Sequence, residues 1–527
     1  MTTPNPITNP NILITTAISY VNGEPHIGHM YEMILADFVT KWHKICLNHN
    51  VKLLTGTDEH GKKIQQIADS LGIEPIDLCN INSNKFKNLA NDVKMSYDHF
   101  IRTTDDQHIK FVQTTIEAIL KSEKSSENSD IYLGSYEGYY SIREESYISE
   151  SDAKLTDYKD PVTDKPYEFI SEPSYYFKLA SYYDFIKSNL DKNQPIIPLD
   201  LNNQLIDRLF ELKLRDLSIS RTTFDWGIKF PNTSDHIVYV WFDALLNYLS
   251  GADVIYKSEL ALGRLASDKI RPDKIRPDKI IHIIGKDIVW FHAIIYPAIL
   301  KSIGAESSIA SNILVHGFIT DEKGIKMSKS LNNVIYPAEL LTEFPLDAIR
   351  YYLISETDLK TDFKFSKMEL VTRYNNLLIK DFGNLVQRIF CLIKPILSDY
   401  NQYLESNSLN LINDSEQFQM DLNQMLKTYD IVAYNNYLKQ LLSWSNKELS
   451  DKKPWLLKSI NELDNKLSIL YQIMDRTLKA TIMMYPIISS KSEEILSYFG
   501  IKMENIYESN HIKIDLEKIK VFNQILI

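Results

Sequence analysis

Cysteine is almost missing from this chain of 527 residues: Cys46, Cys79 and Cys391 are the only three, and they lie far apart. Neither a disulfide framework nor a CxxC metal knuckle can be assembled from them, which excludes a cysteine-based zinc site. No uncharged apolar run reaches the roughly 18 residues that a membrane-spanning helix needs. The opening stretch, Met1 to Pro10, is rich in Asn, Pro and Thr and lacks the basic and apolar segments of a targeting peptide, so a cytoplasmic protein is expected. Glycine is scarce too, 16 in all, and nearly vanishes in the last third of the chain.

What is present describes an ordinary globular protein, with 44% hydrophobic residues, 24% charged residues and 31 tyrosines. Single cores stop growing at about 250–300 residues, so the chain should divide into more than one domain. The formal net charge of −11 argues only weakly against a phosphate-rich partner, because a polyanion needs no more than one local basic face.

Asn11 to Ser19 (NILITTAIS) is a near-continuous apolar and β-branched run, as in a strand buried on both faces of a parallel sheet. After the turn Gly23-Glu24-Pro25, apolar residues recur at Ile27, Met30, Ile34, Phe38, Trp42 and Ile45, which is one face of a helix. Val51 to Gly56 reads as a second strand, and Lys63 to Leu71 as a second helix closed by Gly72. The pattern returns late, with a strand at Ile280 to Ile284, a turn at Gly285-Lys286-Asp287 and a helix from Ile288 to Leu300. Between the halves, residues 119–224 shift toward Tyr, Ser, Asp and Glu, with alternating segments such as Gly138 to Ile142. Late segments such as Arg373 to Ile396 and Leu456 to Met484 carry helical periodicity. The expected fold is α/β: a split, doubly wound parallel sheet, an inserted and partly β domain, and an all-helical tail. The tandem Ile270 to Lys274 and Ile275 to Lys279 (IRPDK twice) reads as a lengthened surface loop.

The chemistry concentrates at two places. His26-Ile27-Gly28-His29 falls where a strand hands over to a helix, and there the unpaired N–H groups and the positive dipole end attract anions. Two imidazoles can donate to phosphate oxygens, and Gly28, with no Cβ, lets a base or ribose approach the backbone. Taken alone, a histidine at a helix start is most often a local cap. Far downstream, Gly324 precedes Lys326-Met327-Ser328-Lys329-Ser330, two ammonium groups on what should be a mobile loop, able to meet charge developing on departing pyrophosphate. Alone, that segment is a solvated turn; the pair together points to adenylate chemistry.

These two motifs, in order with Thr55 to Gly61 (TGTDEHG), Phe224 to Gly227 (FDWG), Val240 to Ala244 (VWFDA) and Gly285 to His292 (GKDIVWFH), resemble the class I aminoacyl-tRNA synthetases, and within them the methionyl-tRNA synthetases. The resemblance spans nearly the whole chain. It implies a Rossmann-like catalytic domain split as 1–118 and 225–345, an inserted connective domain at 119–224, a KMSKS loop and stem-contact region at 320–370, and a helical anticodon-binding domain at 371–527. It further implies activation of L-methionine by ATP, carried with Mg2+, and transfer of the methionyl group to tRNA(Met), with His26, His29, Lys326 and Lys329 as the catalytic residues.

By the same resemblance, ATP is held by His26, Gly28, His29, Gly285, Asp287 and Lys326 to Ser330, methionine by Ile18, Tyr20, Asp58, Trp241, Ile288 and His292, and the CAU anticodon by Asn384, Arg388 and Trp455. Asp58 would pair with the α-ammonium; its plainer role is the N-cap of the helix that follows. Asp287 could equally cap the helix starting at Ile288. Ile288 and His292 stand four apart, as do Asn384 and Arg388, so each pair can share a helix face. Arg and Asn can bond exposed base edges, and an indole can stack on an unpaired base.

Many relatives carry a zinc knuckle in the insert, yet residues 119–224 contain neither cysteine nor histidine, so the chain resembles the zinc-free branch and no structural zinc is expected. No oligonucleotide-barrel domain follows the helical tail, so a monomer is expected. Synthetases for leucine, valine or isoleucine would need a larger editing insert, and a cysteinyl enzyme would need zinc-binding cysteines. A small-molecule nucleotidylyltransferase would not need the tail, and a silent tRNA-binding relative would have lost the histidines or lysines that are intact here.

Overall fold

The apolar runs form the middle of the molecule. In the computed structural model, residues 10–47, 49–121, 129–142, 146–148, 150–161, 164–211, 214–256, 277–327, 333–407 and 416–503 are described. The first stretch runs β1 (Asn11–Thr16), β2 (Ser19–Tyr20), α1 (Ile27–Leu47), β3 (Asn50–Asp58), α2 (Lys62–Leu71), α3 (Pro75–Asp92), β4 (His99–Arg102) and α4 (Asp106–Lys121). The middle adds β5 (Ile131–Ser141), β6 (Ser146–Ile148), α5 (Glu150–Leu155), β7 (Glu168–Phe177), α6 (Tyr183–Asn193), β8 (Ile196–Ile197), α7 (Leu199–Glu211), β9 (Leu217–Ser218) and β10 (Ser220–Arg221). Then come β11 (Ile237–Val238), α8 (Val240–Leu245), α9 (Asn247–Ile255), β12 (Lys279–Gly285) and β13 (Asn312–His316).

The main sheet has the order β2-β3-β1-β12-β13-β8, with β4 beside β3, and its pairs are parallel. Side chains of adjacent residues leave a strand on opposite faces. Ile12, Ile14, Leu53 and Ile281 enter one apolar layer with α1, while Leu13, Leu54, Ile280 and Ile284 enter the other with α4 and α9. Both faces are thus covered, as parallel sheets require. β1 has β3 on one side and β12, from the distant half of the chain, on the other. Such a reversal of strand order opens a crevice at the carboxyl edge.

α1 departs from the one-faced helix that its period suggested. Ile27, Met30, Ile34, Phe38 and Trp42 are buried, but so are Tyr31, Met33, Leu35, Ala36, Val39 and His43. The cause is a second covering layer: Trp42 and Phe38 pack on Tyr434, with ring centroids 4.6 and 5.3 Å apart, so the helix lies between the sheet and the helical tail. α2 ends as expected at Gly72, whose φ of 68° lies in the left-handed region.

Two expected helices are not continuous α-helix. Ile288 to Leu300 resolves into a 3₁₀ turn at Lys286–Ile288, a π stretch at Phe291–Ile295 and α-helix at Tyr296–Ser302. Pro297 has no N–H for the preceding turn and its ring crowds the carbonyl four residues back, which favours a widened turn there. Arg373 to Ile396 likewise contains a π stretch, Tyr374–Gly383, ahead of the α-helix Asn384–Ile393. At Leu456 to Met484 the long helix begins only at Leu463, after a capping box between Ser459 and Glu462.

In the middle segment, β5 and β7 pair antiparallel over ten positions in the sheet β6-β5-β7-β9. β8, also from that segment, adds a parallel edge to β13 of the main sheet, so residues 119–224 contribute to both sheets. Among the described residues from Leu346 onward the named elements are helices, apart from the short strand Phe363–Lys364. Among the described residues no helix is long and apolar enough to cross a membrane.

Candidate active site

α1 starts directly after His26, and the two histidines cap it. The Nδ1 of His26 accepts from the Gly28 amide at 3.1 Å, and the Nδ1 of His29 accepts from the His26 amide at 3.1 Å. The rings stack with centroids 3.8 Å apart, and His29 is braced edge-on by Phe86 at 4.9 Å. An imidazole that accepts at Nδ1 must carry its proton on Nε2. The local cap and the proposed phosphate donor are therefore compatible: capping spends one nitrogen of each ring and makes the other a donor. Gly28 has a further reason to be glycine, because a Cβ there would lie 2.9 Å from Cε1 of His26, and the imidazole itself fills the space.

A cavity of about 290 Å³ opens at the carboxyl ends of β1, β3 and β12, a volume at the small end of ligand pockets. Its walls include Ile18, Tyr20, Asp58, Trp241, Ile288 and His292, all six residues expected around methionine. Asp287 also reaches this wall. Asp58 ends β3 and does not cap α2, where Gly61 stands at the N-cap position. The Trp241 ring stacks on Phe291, centroids 3.7 Å apart and 9° from parallel, giving the cavity a flat aromatic side.

The deep end of the cavity is made neutral. His292, 2% exposed, meets the Ile288 carbonyl through Nδ1 at 3.0 Å and the Tyr248 hydroxyl through Nε2 at 2.7 Å. Since a carbonyl only accepts, Nδ1 holds the proton and Nε2 accepts from Tyr248. Burial depresses the imidazole to about 4 and pushes the Tyr248 phenol well up, so neither group is charged near neutrality. A long, polarizable and uncharged side chain suits such a space. Tyr248 and Phe291 escaped the sequence reading. Tyr248 lies seven residues after Trp241, two helical turns, but the helix breaks between α8 and α9, which hides that spacing.

On the other flank, Gly285 and Asp287 meet across the turn after β12, where a Cβ on Gly285 would fall 2.8 Å from Oδ1 of Asp287. Lys286 bonds both oxygens of Asp362 at 2.7 and 2.8 Å and lies 4.6 Å from the centre of the Phe318 ring. Burial would raise the Asp362 carboxyl, but the Lys286 hydrogen bond and the Phe318 amide outweigh it and hold it below its ordinary value. Lys326 stands over the same Phe318 ring, 3.8 Å from its centre. Met327 packs against the core; Ser328, Lys329 and Ser330 lie outside the described residues, as does most of the IRPDK tandem.

The tail residues form a separate surface. Asn384 is exposed at the start of its helix, and Arg388, one turn on, places its guanidinium 5.7 Å from the centre of the Trp455 ring. Trp455 keeps 38% of its surface exposed. A cation and an indole so placed, beside an exposed amide, can engage unpaired bases.

Residues 12–156 and 151–390 match the family described as tRNA synthetases class I (M). The methionine–tRNA ligase of Rickettsia conorii is 34% identical over 506 residues, covering 94% of this chain and 94% of that protein. That of Thermotoga maritima is 33% identical over 494 residues, covering 92% of this chain and 74% of that protein. Among solved structures, Mycobacterium tuberculosis methionyl-tRNA synthetase in complex with methionyl-adenylate superposes with a TM-score of 0.81 at 31% identity, over 96% of this chain and 98% of that one. Sequence profile, full-length relatives and backbone agree, and the chain belongs to the methionyl-tRNA synthetases, a family of the class I aminoacyl-tRNA synthetases.

Proposed function

We infer that the protein activates L-methionine with ATP to methionyl-adenylate and transfers the methionyl group to the 3′-terminal adenosine of tRNA(Met). The observation that carries this reading is the cavity whose walls include Ile18, Tyr20, Asp58, Trp241, Ile288 and His292, opening at the sheet edge that also bears Gly285 and Asp287. Its small, uncharged depth, with the Asp58 carboxylate on its wall, suits a zwitterion with a thioether side chain.

Activation is an in-line displacement at the α-phosphorus: a methionine carboxylate oxygen forms a bond to phosphorus as the bond to the pyrophosphate oxygen breaks. The protein's part in such a step is positioning and charge stabilisation. Asp58 pairs with the α-ammonium and orients the amino acid. The Nε2–H groups of His26 and His29 donate to phosphate oxygens, Gly285 and Asp287 hold the ribose, and Lys326 with Lys329 meets the charge growing on pyrophosphate, with Met327, Ser328 and Ser330 completing the loop. ATP enters as its magnesium complex.

For the second substrate, Asn384, Arg388 and Trp455 read the anticodon. The division of the chain follows that labour: residues 1–118 and 225–345 catalytic, 119–224 connective, 320–370 the loop and stem-contact region, 371–527 anticodon-binding. The connective segment works without structural zinc, a reading supported by its lack of cysteine and histidine and by the aromatic packing of Tyr139 on Phe169 and Phe177 on Tyr182. We place the protein in the cytoplasm as a monomer. The deciding experiment is pyrophosphate exchange into ATP: exchange that depends on methionine and not on leucine, isoleucine or cysteine is expected, and folded protein showing none overturns the assignment.

A further inference from the structure

Three consecutive residues at the carboxyl end of β3 leave in three directions. Asp58 lines the cavity. Glu59, fully buried, receives Arg102 through two bonds of 2.7 and 2.8 Å and the Thr104 hydroxyl at 2.6 Å. His60, also buried, turns to Asp243, with Nδ1 2.7 Å from Oδ2. The second oxygen of Asp243 meets Nε2 of His108 at 2.7 Å, and Nδ1 of His108 is 2.7 Å from the Ser250 hydroxyl. Asp243 is 1% exposed and belongs to α8, two residues after Trp241. One buried carboxylate therefore ties the strand end that bears Asp58 to the helix that bears Trp241.

The Phe224 to Gly227 segment closes the same arrangement. The indole of Trp226 donates to the Glu59 carbonyl at 2.6 Å, the Gly61 amide donates to the Trp226 carbonyl at 3.2 Å, and the Trp226 ring lies 5.5 Å from that of His60. Burial alone would raise the Asp243 carboxyl; the neighbouring His60 and the bond from His108 more than compensate and hold it low, so it stays ionised. α8 is six residues long with no side-chain cap, too short to hold its place by helix propensity. Its position has to come from tertiary contacts such as this one.

We propose that Asp243, held by His60 and His108, is the positioning residue of the amino-acid half of the site, fixing Asp58 and Trp241 at the separation methionine requires. The inference rests on the methionine-activating reading above. It is more specific than a general contribution to stability, because the network joins the elements that bear Asp58 and Trp241, whereas Gly285 ends β12, and Asp287 and Lys326 follow β12 and β13, strands that supply none of its members. Disturbing it should therefore change recognition of one substrate and leave the other alone.

The test is pyrophosphate exchange with methionine and ATP varied separately, for the full chain and for His60→Ala, His60→Asn and Asp243→Asn. Asparagine carries a donor at the place of Nδ1, so it can keep the bond to Asp243 that alanine loses. His60→Ala should raise the methionine KM roughly ten- to a hundredfold, with the ATP KM within about twofold of the unaltered chain. His60→Asn should restore most of the loss, and Asp243→Asn, which keeps one acceptor oxygen and loses the charge, should fall between. Equal increases in both KM values, or His60→Asn no better than His60→Ala, overturn the inference. If His60→Ala does not fold, Asp243→Asn decides alone: a methionine KM like that of the unaltered chain overturns it, and a selective rise supports it. An unaltered chain without methionine-dependent exchange overturns the activity and this inference together; normal exchange beside an unchanged methionine KM in the variants overturns this inference alone.

Discussion

The backbone amide of Ile27, the first residue of α1, donates a 3.0 Å hydrogen bond to the carbonyl of Ile335, which lies just beyond the Lys326 to Ser330 motif. Two segments at opposite ends of the catalytic sequence are thus stitched together at the backbone. Ile335 thus lies against the helix start that His26 and His29 cap.

The cap made by His26 can be separated from the phosphate-donor role proposed for it. His26→Asn keeps a cap acceptor for the Gly28 amide, now bonded by Nδ1 at 3.1 Å, but lacks the Nε2–H. It should unfold like the unaltered chain and lose roughly 10²–10³ in exchange rate. His26→Ala should lose the same activity and, in addition, about 1 kcal/mol of stability. Thermal unfolding measured beside exchange checks both; an active His26→Asn would remove the imidazole from catalysis.

At the deep end of the cavity, Tyr248→Phe would strip the buried Nε2 of His292 of its 2.7 Å donor. Leaving such an acceptor unsatisfied costs about 1–3 kcal/mol. The expected outcome is a raised methionine KM with an ATP KM that stays put, together with a lowered denaturant midpoint. An unchanged midpoint would mean that the hydrogen bond contributes little to folding.

Arg388 and Trp455 lie on the tail and do not line the cavity. Arg388→Ala or Trp455→Ala should leave methionine-dependent exchange intact and cripple charging of tRNA. A lost stacking contact is worth roughly 1–3 kcal/mol, so charging should fall by about five- to a hundredfold. Equal loss of exchange and charging would contradict the division of labour.

Acid should weaken the fold through two buried histidines. Burial lowers His43, whose ring meets the Tyr429 hydroxyl at 3.0 Å, from 6.5 to about 3, and His292 from 6.5 to about 4. Between those values and 6.5 the unfolded chain binds more protons than the folded one, so stability rises with pH through that window, is complete above 6.5 and is lost on acidification. Each histidine contributes a slope of at most about 1.4 kcal/mol per pH unit. Denaturant unfolding at several pH values should show the slope, and His43→Gln should flatten it; a slope unaltered in that variant would point to other groups.

Some of this was legible in the chain and some was not, for reasons that particular residues make plain. Ile12 to Ile14, and Ile280 to Ile284 with His282 as its one polar member, declare buried strands because a strand covered on both faces needs a nearly continuous apolar run. The cavity residues proposed for methionine could be named in advance only through motifs similar to those of a family, since Ile18, Trp241 and His292 look like ordinary core. Tyr248 and Phe291 stayed hidden because a helix break and a π stretch spoil the spacing that would have joined them to Trp241 and His292.

Local order along the chain settled which segments become strand and helix, where α2 stops, and which groups were available for chemistry, because hydrophobic period, capping residues and side-chain functional groups are properties of neighbouring residues. Tertiary structure alone decided that β12 lies beside β1, that α1 is covered on both sides, and that Asp58, Glu59 and His60 part company toward the cavity, Arg102 and Asp243. Those outcomes depend on which distant surfaces exclude water together and which buried charges find a partner, and no stretch of neighbouring residues contains that information.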